Sequence, residues 1–499
     1  MPSAESETFA PRDPARLTRC DRLPPLPAAH TPTAEASVTT TAPKPTLLDA
    51  LAEVLPAGQL ITGEKTGGYL RDQSDSTAAG VPFAVALPVN TEQVAAVVAF
   101  AAAHRIPIVP QGARTGLAGG ANAIEGSIVL STTRLNKIVS VDAEDQTATV
   151  QAGVRTYALA RAAAAVGLFY PPDPGSWKGS TVGGNVATNA GGMLCVKYGV
   201  TGNFVRQLTV VLADGSIVRT GQRTIKGVTG YDLTSLLVGS EGTLGIITEI
   251  TVGLLPAPAP ASGVSATFAG TEAALAAAAL IVASNRRPSI LEYLDGPSIT
   301  AINAFDPESK LPAGAAALLL VQSDQAGQAH DDVEEYAAIL RAEGATEVLV
   351  AHDPAHLDQL MTARRLLQPA LQAARGSSLN EDITVPRSQL QALLTGLTEI
   401  SRDLSIPIGT GGHLGDGNLH PMIGFDAGNP AEVEAAHEAF ARVIRLAISL
   451  GGSASGEHGI GMLKQAHLDD ELGPILRDLQ RRVKAAFDPD SLLNPGKKL

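Results

Sequence analysis

Two long glycine-rich segments constrain this chain more than any other feature of its sequence. The first spans residues 110–122, directly after a short apolar run, and the second spans residues 171–192. Because glycine carries no Cβ, successive backbone N–H groups in such segments can converge on an anion and bind phosphate. One segment alone would fit an ordinary surface loop, but two of them, together with residues 239–245, favour a nucleotide site. The chain contains neither GxGxxG nor GxxxxGK[ST], so we expect neither a Rossmann NAD site nor a P-loop.

The composition excludes several classes of protein. A net charge of −13 argues against nucleic-acid binding, because contacts to phosphates require a basic face. The two cysteines, Cys20 and Cys195, are too few for an iron–sulfur centre and do not favour a disulfide, so we expect a reducing compartment. No apolar run reaches the roughly 18 residues that span a bilayer, so we expect no transmembrane segment.

The pattern of apolar residues divides the chain into four parts. Residues 1–45 contain nine prolines and no apolar periodicity, which predicts a disordered tail. Residues 46–256 alternate short strands with helices and glycine-rich segments, and a proline at every second position of 256–260 marks a domain boundary. Residues 257–480 contain two successive βαβ units followed by helices, which predicts a mostly antiparallel, ferredoxin-like sheet. Residues 481–499 form a separate C-terminal segment.

Two histidines, His413 and His420, lie in residues 410–421, which also contain four glycines. A proline and the glycines exclude a helix there. We therefore expect a loop that folds back and brings both imidazoles to one point. Asp416 and Asn418 lie between the two histidines and are predicted to orient their rings.

Glu457 and His458 follow in a further glycine-rich stretch, residues 451–461. Two imidazoles and one carboxylate suit a divalent metal, so His413, His420 and Glu457 are the candidate ligands. The alternative is that these are ordinary loop residues bonded to backbone. Adjacent residues in extended backbone point in different directions, which lets His458 face a substrate. A neutral histidine accepts protons at physiological pH, so His458 is the candidate base, with a structural hydrogen bond as the alternative.

Arg364 lies in the middle of an apolar stripe on the helix predicted for residues 355–374. Leucine and methionine recur around it at helical spacing, so its guanidinium is predicted to point inward. A buried guanidinium is costly unless it meets an anion, and a bidentate pair with a carboxylate is the usual solution. An internal salt bridge or a snorkelling side chain is the alternative. Arg365 lies at the edge of the stripe and is predicted to face solvent.

Three motifs together resemble one superfamily of flavoproteins. They are VPQGARTGLAGGAN at 109–122, PPDPGSWKGSTVGGNVATNAGGMLCVKYG at 171–199 and IKGVTGYDLTSLLVGSEGTLGIIT at 225–248. In the order and content of these motifs, residues 47–499 are similar to the vanillyl-alcohol oxidase/p-cresol methylhydroxylase superfamily. The resemblance is to its FAD-linked D-2-hydroxyacid dehydrogenase branch. That branch includes D-lactate dehydrogenase, the glycolate oxidase flavoprotein subunit and D-2-hydroxyglutarate dehydrogenase.

The resemblance implies an α+β fold with a two-subdomain α/β domain that binds FAD and an antiparallel, ferredoxin-like cap with C-terminal helices. Residues 46–256 would form the FAD-binding domain, 257–480 the cap or substrate domain, and 481–499 a segment returning to the FAD domain. The predicted cofactor-binding residues are Pro110, Gly112, Ala113, Arg114, Thr115, Gly116, Gly119, Gly120, Pro174, Gly175, Ser180, Thr181, Gly183, Gly184, Asn185, Thr188, Asn189, Gly191, Gly192, Glu241, Gly242, Gly245, Ile246 and Asn494.

Three features of the sequence bear on how FAD is bound: two departures from the pattern of the related flavoproteins, and one cysteine. Gln111 stands where relatives often carry an arginine near the pyrophosphate, which leaves the backbone groups to bind it. The first glycine-rich segment has no histidine of the kind that forms a flavin linkage in covalently flavinylated relatives. Cys195 is predicted to be a small buried residue rather than a flavin-linking thiol. We therefore expect non-covalent FAD.

The resemblance also implies the reaction. A D-2-hydroxyacid such as D-lactate or glycolate would be oxidised to the 2-oxoacid, with hydride transfer to flavin N5. A divalent metal, zinc or manganese, would be held by His413, His420 and Glu457 and would stabilise the alkoxide. The predicted catalytic residues are His458, Arg364 and Asn418. The first would be the general base, and the second would bind the substrate carboxylate.

The substrate and the partners follow from smaller features. Dicarboxylate-specific relatives place a lysine where this chain has Asn380, which favours a monocarboxylate. The alternatives are D-2-hydroxyglutarate oxidation, a non-redox flavoprotein of the alkyl-dihydroxyacetonephosphate synthase type, and a metal-dependent hydrolase. Without an NAD motif, electrons would pass to a quinone, a cytochrome or an electron-transfer flavoprotein. A homodimer is compatible with the sequence, as is a cytoplasmic protein (alternatively of the mitochondrial matrix) peripheral to a membrane.

Overall fold

The first described elements form a small, mostly parallel sheet. The computed structural model describes residues 44–74, 77–309 and 311–499, so the tail predicted for 1–45 lies outside them except for its last two residues. The elements are α1 (Lys44–Val54), β1 (Leu60–Ile61), β2 (Ala84–Ala86), α2 (Thr91–His104), β3 (Ile108–Gln111) and β4 (Ile128–Ser131). Strands β2, β4 and β3 run parallel, and β1 pairs with β2 in the opposite direction. Asn90 caps α2 by accepting a hydrogen bond from the backbone N–H of Gln93.

An antiparallel sheet of five strands follows. Its region contains β5 (Ile138–Asp142), β6 (Thr147–Gln151), α3 (Thr156–Ala164), β7 (Leu168–Phe169), α4 (Val182–Thr188), α5 (Cys195–Tyr198), β8 (Val205–Val211), β9 (Ile217–Gly221), α6 (Leu233–Leu237), β10 (Ile246–Gly253) and β11 (Leu255–Pro256). The strand order is β5-β6-β10-β8-β9, and β11 pairs with β7 outside this sheet. Val150, Leu208 and Ile250 are fully buried in the core of this region, which gives the glycine-rich segments a rigid support.

The second half of the chain is built on one antiparallel sheet. Its elements are β12 (Ser262–Phe268), α7 (Thr271–Ala283), β13 (Ile290–Asp295), α8 (Gly296–Phe305), β14 (Ala317–Ser323), α9 (Ala329–Ala342), β15 (Glu347–Ala351), α10 (Pro354–Arg375), β16 (Ser377–Asn380), β17 (Ile383–Thr384), α11 (Leu390–Leu404), β18 (Ile408–His413), β19 (Asn418–Phe425), α12 (Pro430–Ser449) and α13 (Leu468–Phe487). The sheet order is β15-β12-β14-β13-β18-β19-β16, and β17 also pairs with β19.

This order confirms the predicted α+β fold with an antiparallel cap. The first four strands of this half lie in the sheet in the order β15-β12-β14-β13. Helices α7 and α9 connect them as in a ferredoxin-like unit. Strands β18, β19 and β16 extend that unit and were not predicted. Helices α7, α9, α11 and α12 bury one face of the sheet in a common apolar core. Among the described residues, no helix combines the length and the apolar character that crossing a bilayer requires.

Residues 410–421 fold back on themselves as predicted, but they do so as the β18–β19 hairpin and not as an irregular loop. In this hairpin Gly411 pairs with His420 and His413 pairs with Asn418, and Gly417 lies in the turn with φ 86°. Gly411 serves close packing. A Cβ on Gly411 would lie 2.6 Å from Leu367 Cδ2 on α10, so the helix can approach the strand only because the side chain is absent.

The second glycine-rich segment is also more regular than predicted, because α4 lies inside it. Thr181 caps this helix by accepting a hydrogen bond from the backbone N–H of Gly184. A Cβ on Gly183 would lie 2.5 Å from the Cβ of Ala152, which shows that the glycine lets the helix pack directly on the five-stranded sheet.

The packing at Gly411 yields a test of the hairpin. Gly411→Ala places a methyl group 2.6–3.0 Å from Leu367, Leu294 and the carbonyl oxygen of Tyr293, so we expect a loss of about 1–3 kcal/mol in unfolding free energy. Gly67→Ala is the matched control, since its Cβ would meet nothing within 4 Å. Urea unfolding of both variants measures the difference. Equal stability of the two variants would contradict the tight packing of α10 on β18.

Candidate functional site

A cavity of about 840 Å³ is lined by the glycine-rich segments and by the cap. Its volume falls in the roughly 300–1,000 Å³ range of small-molecule and cofactor sites. The predicted cofactor-binding residues in its wall are Pro110, Gly112, Ala113, Arg114, Thr115, Gly116, Gly120, Pro174, Gly175, Ser180, Thr181, Gly183, Gly184, Asn185, Thr188, Glu241, Gly242, Gly245 and Ile246. The cap contributes Arg364, His413, His420, Glu457 and His458 to the same wall.

Five predicted cofactor-binding residues do not line the cavity. They are Gly119, Asn189, Gly191, Gly192 and Asn494. Asn189 ends α4 in a left-handed conformation. Asn494 supports the wall from behind, because its Nδ2 donates to the carbonyl oxygens of Gly120 and Glu241 at 3.0 and 2.8 Å. Gly191 leaves room for a cap residue, since a Cβ there would lie 2.7 Å from Glu457 Oε2.

The part of the wall near β3 fits a flavin nucleotide in its shape and polarity. The two glycine-rich segments touch there, since a Cβ on Gly112 would lie 2.6 Å from Thr181 Oγ1. Gln111 is buried, and its Nε2 donates to two backbone carbonyls at 2.7 and 2.8 Å. Its Oε1 has no hydrogen-bond partner among the described residues, which leaves a buried acceptor in the cavity wall for a hydroxyl or N–H donor.

The predicted metal and base residues converge on one carboxylate oxygen. Oε1 of Glu457 lies 3.4 Å from His413 Nε2, 3.3 Å from His420 Nε2 and 3.8 Å from His458 Nε2. The rings of His413 and His420 are nearly perpendicular at 5.2 Å, and those of His420 and His458 stack at 5.2 Å. The β18–β19 hairpin places the first two histidines on neighbouring strands, so convergence needs no long loop.

Glu292 on β13 holds two of the site residues at once. Its Oε1 lies 2.6 Å from Nδ1 of His413, and its Oε2 accepts a hydrogen bond from Nε of Arg364 at 2.6 Å. Burial opposes the charge on Glu292, but His413 and Arg364 outweigh it and lower its pKa to about 2. The bond to Nδ1 directs Nε2 of His413 towards Glu457, as carboxylates do for metal-binding histidines.

Arg364 therefore forms an internal salt bridge, which the sequence analysis gave as the alternative to binding a substrate carboxylate. The side chain is also part of the cavity wall, so the two interpretations are compatible. The bond to Glu292 engages Nε, and a guanidinium carries four further N–H donors. Arg365 is 54% exposed, as predicted, and pairs with Asp358 on the same helix, but it also lines the cavity at its rim.

Asp382 organises the other side of the cluster. Its Oδ2 accepts hydrogen bonds from the backbone N–H groups of Glu457 (2.9 Å) and His458 (2.8 Å) and from Oγ of Ser455 (2.8 Å). Its Oδ1 accepts one from Nδ2 of Asn418 at 2.8 Å. Asn418 therefore orients Asp382, while Glu292 orients the imidazole of His413. Asn418 does not line the cavity, so its contact with the cluster passes through Asp382, whose Oδ1 lies 3.9 Å from Nδ1 of His420.

A buried cation completes this network. Nζ of Lys464 lies 2.8 Å from Glu381 Oε2 and donates to the carbonyl oxygens of Asp382 and Ala454 at 2.8 and 2.6 Å. Burial opposes ionisation of Asp382, but His458, Lys464 and nearby His420 hold its pKa well below the usual range. Burial also lowers the pKa of His458, which favours its neutral form.

Two sets of residues, one of four and one of three, are candidates for holding a cation. Ligand atoms of Asp382, His420, Glu457 and His458 lie within 4.8 Å of one another. The sequence predicted His413 in place of Asp382 and His458. Asp382 accepts four hydrogen bonds, which occupy both of its oxygens and make it the poorer ligand. His413 has a carboxylate on Nδ1, which is the arrangement typical of metal-binding histidines. The donor set of two imidazoles and one carboxylate therefore fits a divalent metal.

The loop that bears Glu457 and His458 is attached to the first half of the chain by Glu241. Oε1 and Oε2 of Glu241 accept hydrogen bonds from the N–H groups of Ile460 and Gly461, both at 2.8 Å. This buried residue has a left-handed backbone at φ 54°, in the stretch predicted to bind the cofactor. Its carboxylate is thus committed to the loop, which the sequence did not indicate.

Several functional residues escaped the sequence reasoning. Glu292 lies among apolar residues in the buried strand β13, and an acidic residue inside such a strand was its only signal. Asp382 lies beside Glu381 between β16 and β17, where no local pattern marked it. Asp173 was hidden inside the second glycine-rich segment. It lines the cavity and accepts a hydrogen bond from the backbone N–H of Leu194, and burial raises its pKa to about 8.

The chain matches two families, one in each half. Residues 82–221 match the FAD binding domain, and residues 257–498 match the C-terminal domain of FAD linked oxidases. The chain belongs to the FAD-linked oxidase family and is an FAD-linked oxidoreductase.

Known proteins with similar sequences support this assignment, and a solved structure shares the fold. The glycolate oxidase subunit GlcD of Bacillus subtilis (strain 168) is 42% identical over 418 residues, which cover 84% of this chain and 89% of the relative. A D-lactate dehydrogenase of Anaerostipes hadrus is 36% identical and covers 91% and 97%. The crystal structure of p-cresol methylhydroxylase with substrate bound shares the fold, with a TM-score of 0.75 at 18% identity, covering 91% and 96%.

The buried ion pair beneath the cluster provides a test. Lys464→Met should lower the unfolding free energy by about 3–5 kcal/mol, because it leaves the buried Glu381 carboxylate without its cation. Burial raises the pKa of Glu381 to about 7 even beside this cation, and removing the cation raises it further, so the loss should be larger at pH 8 than at pH 6. Adding Glu381→Gln should recover about half of the loss. If the double variant is as unstable as Lys464→Met alone, the two side chains do not form this pair.

Proposed function

We propose that this protein oxidises a D-2-hydroxyacid, such as D-lactate or glycolate, to the 2-oxoacid with non-covalently bound FAD. One observation carries the proposal: the histidine and carboxylate cluster opens into the same cavity as the glycine-rich segments. The names of the relatives, glycolate oxidase subunit and D-lactate dehydrogenase, support this substrate class.

Arg364 and Asn380 are proposed to bind the substrate. The guanidinium of Arg364 lines the cavity and would bind the substrate carboxylate, with Glu292 fixing its orientation. Asn380 lies in the same wall, and its Oδ1 has no hydrogen-bond partner among the described residues. An uncharged amide at that point can bond a hydroxyl or carbonyl group but gives a second carboxylate no counter-ion. This supports a monocarboxylate over 2-hydroxyglutarate.

His413, His420 and Glu457 would hold a divalent cation, zinc or manganese. Such a cation would act as a Lewis acid on the substrate hydroxyl oxygen and stabilise the developing negative charge. Glu292 keeps His413 aimed at the cluster, and Asp382 keeps the backbone of Glu457 in place. The chain thus fixes the donor atoms before substrate arrives.

His458 is the proposed general base. Its Nε2 lies 3.8 Å from Glu457 Oε1, and its backbone N–H is fixed by Asp382, so the imidazole would lie beside a substrate oxygen bound at the cluster. His458 would take the hydroxyl proton as the α-hydride leaves the substrate carbon. FAD supplies the hydride acceptor at N5, and the electrons would then pass to a quinone, a cytochrome or an electron-transfer flavoprotein.

FAD would be held by the residues that line the cavity from the two glycine-rich segments. Cys195 is half-buried and lies near Gly191, and burial raises the pKa of its thiol far above the usual range. A protonated thiol is a poor nucleophile, which supports a dissociable flavin.

Anaerobic mixing of the purified holoprotein with substrate tests the reaction. D-lactate or glycolate should bleach the flavin absorbance near 450 nm, and L-lactate at equal concentration should leave it unchanged, because the cluster and Arg364 together select one face of the α-carbon. A chelator should slow bleaching by D-lactate, and added zinc or manganese should restore it. An oxidised flavin after all D-2-hydroxyacids, with metal present, would contradict the proposal and favour a non-redox role.

Two variants separate the roles of base and anchor. His458→Ala should abolish flavin reduction by D-lactate while FAD content stays at the wild-type level. Arg364→Ala should raise the apparent Kd for D-lactate about 10- to 100-fold, as expected for a lost charged hydrogen bond of about 1.5–3 kcal/mol.

Arg375→Ala is the matched control for the anchor. Arg375 belongs to the same helix but does not line the cavity, is 40% exposed and pairs with Glu432, so the apparent Kd should change less than about 2-fold. Loss of FAD to the same extent in His458→Ala and Arg364→Ala would show that both residues act on folding, and the assigned roles would then be wrong.

A further inference from the structure

The C-terminal segment contains a buried lysine that has no part in the reaction described above. Lys497 is 3% exposed, and its Nζ donates hydrogen bonds to the carbonyl oxygens of Asn122 and Gly120 at 2.7 and 3.3 Å and to Oδ1 of Asn494 at 3.3 Å. The two carbonyl groups belong to the first glycine-rich segment. An ammonium has three N–H donors, so Lys497 is fully bonded and holds this stretch of backbone in one conformation.

Lys497 lies behind the wall of the cofactor cavity and not in it. Gly120 lines the large cavity, whereas Lys497 lines a separate cavity of about 240 Å³. The carbonyl oxygen of Gly120 is thus turned away from the space that a cofactor would occupy. Earlier in the same segment, Thr115 and Gly116 line the large cavity, and their backbone N–H groups have no acceptor in the part of the chain that the structure describes. Free N–H groups in a segment whose carbonyl groups are bound elsewhere suit an anionic phosphate.

The surroundings of Lys497 make its charge sensitive to pH. Burial lowers the pKa of Lys497 to about 8, and the nearby carboxylates of Asp72 and Glu241 offset only part of this effect. Asp72 also holds the segment, since its backbone N–H donates to Oδ1 of Asn122 at 2.8 Å. The remaining charged groups around the lysine are Arg481, Lys484 with its partner Asp488, Lys498 and the C-terminal carboxylate of Leu499.

We propose that Lys497 is a positioning residue for the flavin: its ammonium holds the first glycine-rich segment in the conformation that binds the phosphate groups of FAD, without touching the cofactor. The inference rests on the non-covalent FAD proposed above and goes beyond it, because it makes cofactor affinity depend on one lysine of the C-terminal segment. A neutral amine has only two N–H groups for three acceptors. Loss of the proton also removes a positive charge near an anionic cofactor, so FAD should bind less tightly as the pH rises through 8.

The dissociation constant of FAD as a function of pH tests the role of this charge. Dilution of the full-length holoprotein releases flavin, and its fluorescence gives the Kd at equilibrium. The Kd of the wild type should be nearly constant between pH 6 and pH 7 and about 10-fold higher at pH 9, as expected when one hydrogen bond to a charged group is lost. Lys497→Arg keeps its charge over this range, and the small cavity beside it leaves room for the larger side chain, so its Kd should be the same at pH 7 and pH 9.

Removal of the ammonium tests the bonds themselves. Lys497→Met should raise the Kd for FAD at pH 7 about 10- to 100-fold and abolish the further rise towards pH 9. Arg481→Met is the matched control, because it removes a positive charge from the same small cavity, but from an exposed side chain of α13 that does not bond the glycine-rich segment. Its Kd should change less than about 2-fold.

Three results would overturn the proposal. The first is a wild-type Kd that does not change with pH, and the second is an unchanged Kd in Lys497→Met. The third is a rise with pH that persists in Lys497→Arg, which would assign the titration to Asp173, a residue of the large cavity whose pKa burial also raises to about 8. Flavin that stays with the denatured wild type would instead contradict the non-covalent FAD, so the two failures are distinguishable.

Discussion

The arrangement of the whole site depends on two buried carboxylates that hold one short loop. Asp382 of the cap accepts hydrogen bonds from the backbone N–H groups of Glu457 and His458. Glu241 of the first half accepts hydrogen bonds from those of Ile460 and Gly461. Backbone N–H groups that meet a carboxylate form strong, directional bonds, so the loop between them has little freedom. The proposed ligand and base therefore cannot move independently of each other or of the two halves of the chain.

Concentrating so much charge inside the protein is tolerated because each carboxylate meets a cation or several donors. The carboxylate of Glu292 contacts both His413 and Arg364. Nζ of Lys464 contacts the carboxylate of Glu381 and the carbonyl oxygen of Asp382. A buried charge without such partners would shift its pKa and become neutral. The pairing keeps Glu292 and Asp382 ionised, whereas burial raises the pKa of Glu381 to about 7 and lowers the pKa of His458, which favours the neutral imidazole. Opposite protonation preferences a few ångströms apart are what proton transfer and cation binding in one cavity require.

Sequence patterns predicted the overall fold and the convergence of the two histidines with Glu457 and His458, but not the means of that convergence. Strand β12 was predicted with its observed bounds, because a period of two between turn signals is a local property. The β18–β19 hairpin was missed, since its glycines resemble a loop until the helix that packs on them is known. Arg364 was correctly predicted to point inward, but its partner Glu292 is 72 residues away and becomes adjacent only through the sheet. Contacts of that kind are set by tertiary packing, which local propensity does not encode.

Because the cavity takes its walls from both halves of the chain, neither half alone contains it. The glycine-rich segments provide one wall, and the imidazoles provide the other from more than two hundred residues downstream. The contacts that join them include Asp324 of the cap, which pairs with Lys197 and accepts a hydrogen bond from Tyr198 Oη, besides those of Glu241. A change that separated the halves would therefore displace Glu457 and His458 together while leaving the glycine-rich segments supported by their own sheet. Loss of the redox reaction and loss of nucleotide binding are for this reason separable in this architecture, even though both depend on one cavity.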